Sequence, residues 1–372
     1  MDSPTRDRVI RPNPSGPVRG NCGWLGNFEV EPFVPRRGLR GGHAQTIASH
    51  ILKRHSRLAE PERVLVQVEP DVQVLCLCHW QPQRQHAPTA VIVHGLEGSS
   101  DSQYVVGTAN KAFAGGMNVV RMNVRNCGGT EKLAATLYHS GMSDDIDRVV
   151  RFFIERDTLP SIFLVGFSMG GNQVLKLVGE WADEHLPEII GAAAICPAMD
   201  LGPSADAIHD ASNRLYEWRF LLSLRGRMKR KVILFPDKFK VERWWWKSIR
   251  DFDDALTAPA FGFTDASDYY DRASASRVLD RISMPTLILQ AKDDPFIRIA
   301  PSTYDKLSAN PCIRFHESEH GGHCGFLAEP IGYDGRWAER QIVRFCEEAQ
   351  RHTRRAPGDS SMDVLRRDKA ES

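Results

Sequence analysis

Ser168 stands in Gly166-Phe167-Ser168-Met169-Gly170-Gly171, and further along come Asp293-Asp294-Pro295 and then His320-Gly321-Gly322-His323. A serine hydroxyl is a poor nucleophile at its free pKa. It needs an imidazole within hydrogen-bond reach and a carboxylate to orient that imidazole. Hydroxyl, carboxylate and imidazole in this chain order are the parts for nucleophilic attack on an ester carbonyl. Small residues on both sides of Ser168 allow a turn tight enough to stand the hydroxyl at a strand's tip. The bare Gly-x-Ser-x-Gly pattern arises often by chance, so its surroundings decide.

Those surroundings have the right form. Ser161-Ile162-Phe163-Leu164-Val165 is a short apolar run between Pro160 and Gly166 and reads as a buried parallel strand. Behind the serine, Val174, Leu177, Val178 and Trp181 recur at i, i+3, i+4, i+7, one face of an amphipathic helix. A second strand, Thr286-Leu287-Ile288-Leu289-Gln290, runs directly into the two aspartates, and a third around 312–316 runs into the histidines. Asp294 is preferred as the orienting acid because Pro295 locks it and because it falls fourth after the strand; Asp293 then bonds local backbone. His323 is preferred as the base because Gly321-Gly322 before it let the loop fold back over Ser168, with His320 in a supporting place. The oxyanion of an acyl-transfer intermediate needs two backbone N–H donors. Met169, after the nucleophile, supplies one, and Leu96 in His94-Gly95-Leu96, after the strand at 90–93, the other.

The remaining elements build a frame for these strand ends. Residues 64–68 and 72–79 alternate at period two and predict a β-hairpin. Strands at 90–93, 117–124, 161–165 and 191–196 alternate with helical stretches at 103–114, 143–156 and after Ser168. Such alternation predicts an α/β fold with a mostly parallel sheet covered by helices on both faces. After Pro197 the alternation stops for about 88 residues, which is too long for a loop. The expected organisation is a mobile arm at 1–22, core at 23–197, a helical cap at 198–284, core again at 285–353 and a polar tail at 354–372. Gly41-Gly42-His43 suggests a constrained turn, with His43 structural.

Composition excludes several functions. A formal net charge of +1 over 372 residues gives no reason to expect nucleic acid. The eight cysteines are scattered, without a CxxC pair, so neither a metal site nor a dithiol centre is expected. Cys127 reads as a packed loop thiol. No cofactor is required by the chemistry. The N-terminal residues have no apolar leader segment, no run approaches a membrane span, and a cytoplasmic location is expected. His139 and Asp144 match His-x4-Asp, a pattern associated with acyl transfer to alcohols, although Asp144 reads equally well as a helix cap.

The chain resembles the AB hydrolase-4 family of the α/β-hydrolase superfamily over about residues 30–350. The likeness rests on the Gly-His-x-Gln-Thr of Gly42-His43-Ala44-Gln45-Thr46, on 94–98, 125–130, 137–141 and 166–171, and on 251–254, 268–270, 293–295 and 320–326. It implies a charge-relay triad that carries over onto Ser168, Asp294 and His323. It also implies ester hydrolysis on lipid-like substrates, in some members with transfer of the acyl group to an alcohol. Unlike membrane-anchored members, this sequence has no N-terminal span. A catalytically silent binding module on the same fold is the rival from another class, and the presence of all three triad residues argues against it.

One feature of the cap stands apart. Between Asp206 and Arg250, twelve Lys and Arg accompany five Asp and Glu, beside Trp244-Trp245-Trp246 and an apolar stretch around Leu215, Trp218, Leu221 and Leu222. The first reading of this run is a solvated basic face over a cap packed onto the core; the sharper alternative is a cap that forms an acyl-chain pocket and touches anionic lipid surfaces through Arg225, Arg227, Lys229, Arg230 and Lys231.

Overall fold

Five consecutive buried residues in β4 (Thr89–Val93), six in β6 (Ile162–Phe167) and seven in β7 (Ile189–Ile195) are the signature of strands covered on both faces. The structure, a computed structural model, describes residues 7–10, 22–184 and 186–354. With β1 (Arg8–Ile10), β2 (Glu62–Glu69), β3 (Val72–His79), β5 (Asn118–Met122), β8 (Thr286–Ala291) and β9 (Ile313–Ser318) these strands form one sheet. Its order is β1-β9-β8-β7-β6-β4-β5-β3-β2. The pairs β5–β4, β4–β6, β6–β7, β7–β8 and β8–β9 are parallel, whereas β2–β3, β3–β5 and β1–β9 are antiparallel.

Successive side chains along a strand point to opposite faces, and the two cores divide accordingly. Ile162 and Leu164 enter one core with Val149, Phe153 and Leu177, while Phe163, Val165 and Phe167 enter the other with Val105, Ala109, Ile342 and Phe345. The first core is covered by α3 (Asp144–Asp157) and α4 (Met169–Glu180), the second by α2 (Gln103–Ala114) and α11 (Trp337–Arg354). Helices on both faces and mostly parallel strands between them are the architecture expected from the alternation, and they agree with the α/β-hydrolase fold that the family resemblance implies.

Two expectations need correction, and one covalent link lies outside what the sequence indicated. Residues 8–10, placed in a mobile arm, form edge strand β1 against β9. Gly42 does not sit in an isolated turn but opens helix α1 (Gly42–Ile51). Cys22 and Cys312, which spacing does not connect, are joined in a disulfide across 290 residues. The polar tail beyond residue 354 lies outside the described residues.

From Pro197 to Pro285 the described chain is helical, with no strand: α5 (Leu201–His209), α6 (Arg214–Leu234), α7 (Ile249–Phe252), α8 (Ala258–Ala260) and α9 (Ala266–Ala273). A π-turn over Asp253–Thr257 links α7 to α8. The last helix outside the cap besides α11 is α10 (Pro301–Ala309).

Candidate active site

β6 ends where α4 begins, and Ser168 between them has φ 54° and ψ −119°. A side chain in that region is strained, and it persists only where the neighbours leave no alternative. The flanking glycines show why. A Cβ on Gly166 would lie 2.3 Å from the Gly170 carbonyl oxygen, and one on Gly170 would lie 2.4 Å from that of His94.

The His323 ring lies between Ser168 and Asp294. Its Nε2 is 2.8 Å from Ser168 Oγ, and its Nδ1 is 2.8 Å from Asp294 Oδ2. The other oxygen of Asp294 accepts the Phe296 and Ile297 N–H groups at 2.8 and 3.2 Å, which fixes the carboxylate. Burial alone would lower the His323 pKa, but the Asp294 carboxylate, with Cys324, overcomes this and raises it to about 9. Asp293 turns the other way. It accepts the Gly322 N–H at 2.8 Å and stands 3.3 Å from His320 Nδ1, so it ties the acid loop to the histidine loop, not to backbone of its own loop.

Residues without an assigned role in the sequence hold this arrangement. Thr46 Oγ1 accepts the His323 N–H at 2.9 Å, and Gln45, fully buried, donates to the Leu39 and Leu327 carbonyls and accepts the Leu327 N–H. Gly42 packs so closely that a Cβ there would lie 1.8 Å from the Asp293 carbonyl oxygen. The Gly-His-x-Gln-Thr segment is thus the support of both late loops. His94, wholly buried, is pushed down to a pKa of about 4 by desolvation and stays neutral. Its Nδ1–H donates to the Gly95 carbonyl and its Nε2 accepts the Val124 N–H, so it fixes the loop that carries Leu96. Met169 is the first residue of α4, where a backbone N–H has no carbonyl one turn back to bond. Leu96 and Met169 line one cavity with Ser168 and His323.

Phe220, Leu224 and Met228 of α6, with Ile249 and Phe252, roof that cavity from the cap. His139 also lines it, with Nδ1 accepting the Gly141 N–H; burial, with Lys176 and Arg125 nearby, depresses its pKa to about 4. Asp144 is not brought to His139. It is exposed at the start of α3, outside the cavity lining, so the His-x4-Asp spacing does not form a unit.

The basic run of the cap is not a free face. Arg227 is buried and its Nη1 lies 2.7 Å from Glu97, on the loop that carries Leu96. Lys231 is fully buried and donates to Asn126 Oδ1 at 2.9 Å and to the Ala134 carbonyl; desolvation lowers its pKa to about 8. Arg230 pairs with Glu131 at 2.6 Å, and Arg225 bonds the Trp244 carbonyl and stacks on Trp245. Lys229 is exposed, and among the described residues no side chain pairs with it. Helix α6 buries Glu217, Leu221, Leu224, Arg227, Met228 and Lys231 and turns Leu215, Trp218 and Leu222 outward, so that of the apolar stretch Leu215, Trp218, Leu221 and Leu222 only Leu221 faces inward.

A family model described as the alpha/beta hydrolase fold matches residues 88–330. The protein of Escherichia coli (strain K12) named "Putative esterase YheT" is 32% identical over 315 residues, 83% of this chain and 91% of its own length. The chain belongs to the AB hydrolase-4 family of α/β hydrolases. A monoacylglycerol lipase of Saccharomyces cerevisiae is 28% identical to this hydrolase over 269 residues, 70% of the chain and 59% of the lipase. The yeast medium-chain fatty acid ethyl ester synthase/esterase 2 is 26% identical, over 69% of the chain and 61% of that protein. An esterase structure from Pyrococcus furiosus shares the fold, with a TM-score of 0.53 at 12% identity, covering 86% of this chain and 99% of that one. This α/β hydrolase is an enzyme of esterase or lipase type. Among the described residues no helix is long and apolar enough to cross a membrane.

Proposed function

We propose that this enzyme hydrolyses medium- or long-chain acyl esters through Ser168, His323 and Asp294. The observation that carries the reading is the unbroken path Ser168 Oγ–His323–Asp294, with both contacts at 2.8 Å, opening on a cavity walled mainly by apolar side chains. His323 Nε2 takes the hydroxyl proton as Ser168 attacks the ester carbonyl. The Leu96 and Met169 N–H groups stabilise the oxyanion, and His323 then gives its proton to the departing alcohol. Water, deprotonated by the same nitrogen, releases the carboxylic acid. Asp294 holds Nδ1–H and the cationic ring throughout.

The wall contributed by Phe220, Leu224, Met228 and Phe252 suits an acyl chain, which gains about 0.8 kcal/mol per buried methylene. A lipase and a fatty-ester enzyme among the relatives support the same substrate class. The second name, synthase/esterase, also favours a variant in which an alcohol replaces water in the final step. The test is covalent labelling by a fluorophosphonate together with p-nitrophenyl esters of increasing chain length. Labelling of the parent, none of Ser168→Ala, and a preference for chains longer than acetate are expected. Equal labelling of Ser168→Ala would end the serine reading, and acetate as the best substrate would end the acyl-pocket reading.

A further inference from the structure

Near the His323 ring lie two thiols that the hydrolytic cycle does not use. Cys196 follows β7, Cys324 follows His323, and both have positive φ, 44° and 56°. The two Sγ atoms and a ring nitrogen of His323 all lie within 4.8 Å of one another. The Cys324 N–H also donates to Cys196 Sγ at 3.3 Å, so the two chain segments are in contact.

We infer that Cys196, Cys324 and His323 form a site for a soft divalent cation such as Zn²⁺, and that the ion inhibits the enzyme by occupying its base. Two thiolates and an imidazole are a common zinc donor set. Zn–S bonds of about 2.3 Å and Zn–N bonds of about 2.0–2.1 Å need donors roughly 3.5–3.8 Å apart, a small contraction from the present spacing. A metal-bound histidine almost always donates its other N–H to a carboxylate, a backbone carbonyl or water, and here Asp294 already accepts Nδ1–H at 2.8 Å. The lone pair left to the metal is then on Nε2, the pair that otherwise takes the Ser168 proton. Binding displaces one proton from each thiol and transfers no electrons. Of the three donors His323 lines the substrate cavity, while both thiols are buried beside it. The role as inhibitor rests on the esterase reading, whereas the binding itself does not.

Two measurements on the full chain separate these. Zn²⁺ is titrated against ester hydrolysis by the parent, Cys196→Ser and Cys324→Ser, with a chelator added at the end of each series. Co²⁺ is titrated into the parent and into Ser168→Ala, and the thiolate-to-cobalt absorption is followed. Reversible inhibition of the parent is expected, with the half-inhibiting concentration raised at least about tenfold in either cysteine variant. The cobalt band is expected in both the parent and Ser168→Ala, since the latter keeps all three donors. Equal Zn²⁺ sensitivity of the cysteine variants, or no thiolate-to-cobalt band, overturns the site. If the cysteine variants do not fold, the band in the parent decides. A band in a parent that hydrolyses no ester leaves the metal site standing and removes the esterase reading.

Discussion

Around Ser168, polar groups are held at strand ends by backbone: the turn at φ 54°, the Phe296 and Ile297 N–H groups on Asp294, and the His323 N–H on Thr46. In the cap, long charged side chains do the holding. Arg227 reaches Glu97, Lys231 reaches Asn126 and Ala134, and Glu217 accepts the Ile249 N–H. Backbone contacts at a strand end are fixed once the sheet forms, and they tolerate little movement. Contacts such as Arg227 with Glu97 and Lys231 with Asn126 hold the cap only while both sides are buried together, because the charge alone is costly to bury. The difference teaches that the two halves of the cavity should fail in different ways, one in chemistry and the other in attachment.

The largest effect tests the core side. Asp294→Asn should lower turnover about 10⁴-fold, by loss of the correct tautomer and of the cation's partner. Asp293→Asn should cost far less turnover and show instead as a lower Tm, since it ties two loops together. The reverse ranking in steady-state kinetics would move the orienting role to Asp293.

Next comes the cap. Arg227→Met leaves Glu97 without its cation and should destabilise by about 3–5 kcal/mol. Hydrogen exchange should place the loss in α6 and in the loop around Glu97, with the central strands still protected. A loss below about 1 kcal/mol would mean that the apolar cluster of Leu221, Leu224, Met228 and Trp246 holds the cap unaided.

A third expectation concerns pH. With the His323 pKa raised to about 9, its free-base form grows as pH rises, so kcat/KM should increase roughly tenfold per unit from pH 7 and level off near 9. The folded-state pKa lies above the ordinary value of 6.5, so the ion pair's contribution to stability is full below pH 6.5 and is lost as pH rises through about 9. A rate profile that levels off near pH 6.5 would show that Asp294 does not hold the cationic ring. The smallest effect is at the outer face of α6. Leu215 and Trp218 are 81% and 62% exposed, and Leu215→Ser or Trp218→Ser should change stability by no more than about 0.5 kcal/mol. A denaturation midpoint displaced well beyond that would mean that this face is covered in solution.

The amino-acid sequence alone determined what local pattern can carry. Continuous apolar runs marked β4, β6 and β8, the 103–114 stretch is helix α2 to the residue, and the hydroxyl, carboxylate and imidazole were placed by chain order and by position after a strand. Such signals are legible because hydrophobic period and turn chemistry are properties of neighbouring residues. Only the tertiary structure decided which face of α6 is buried, that Gln45 and Thr46 support the histidine loop, that β1 completes the sheet and that Cys22 meets Cys312. In each case the partner lies far away in sequence. Hydrophobicity alone could not show which face of α6 turns inward, because its buried Lys231 is compensated by Asn126 and Ala134 only once cap and core have come together, and its buried Glu217 by the Ile249 N–H further along the cap.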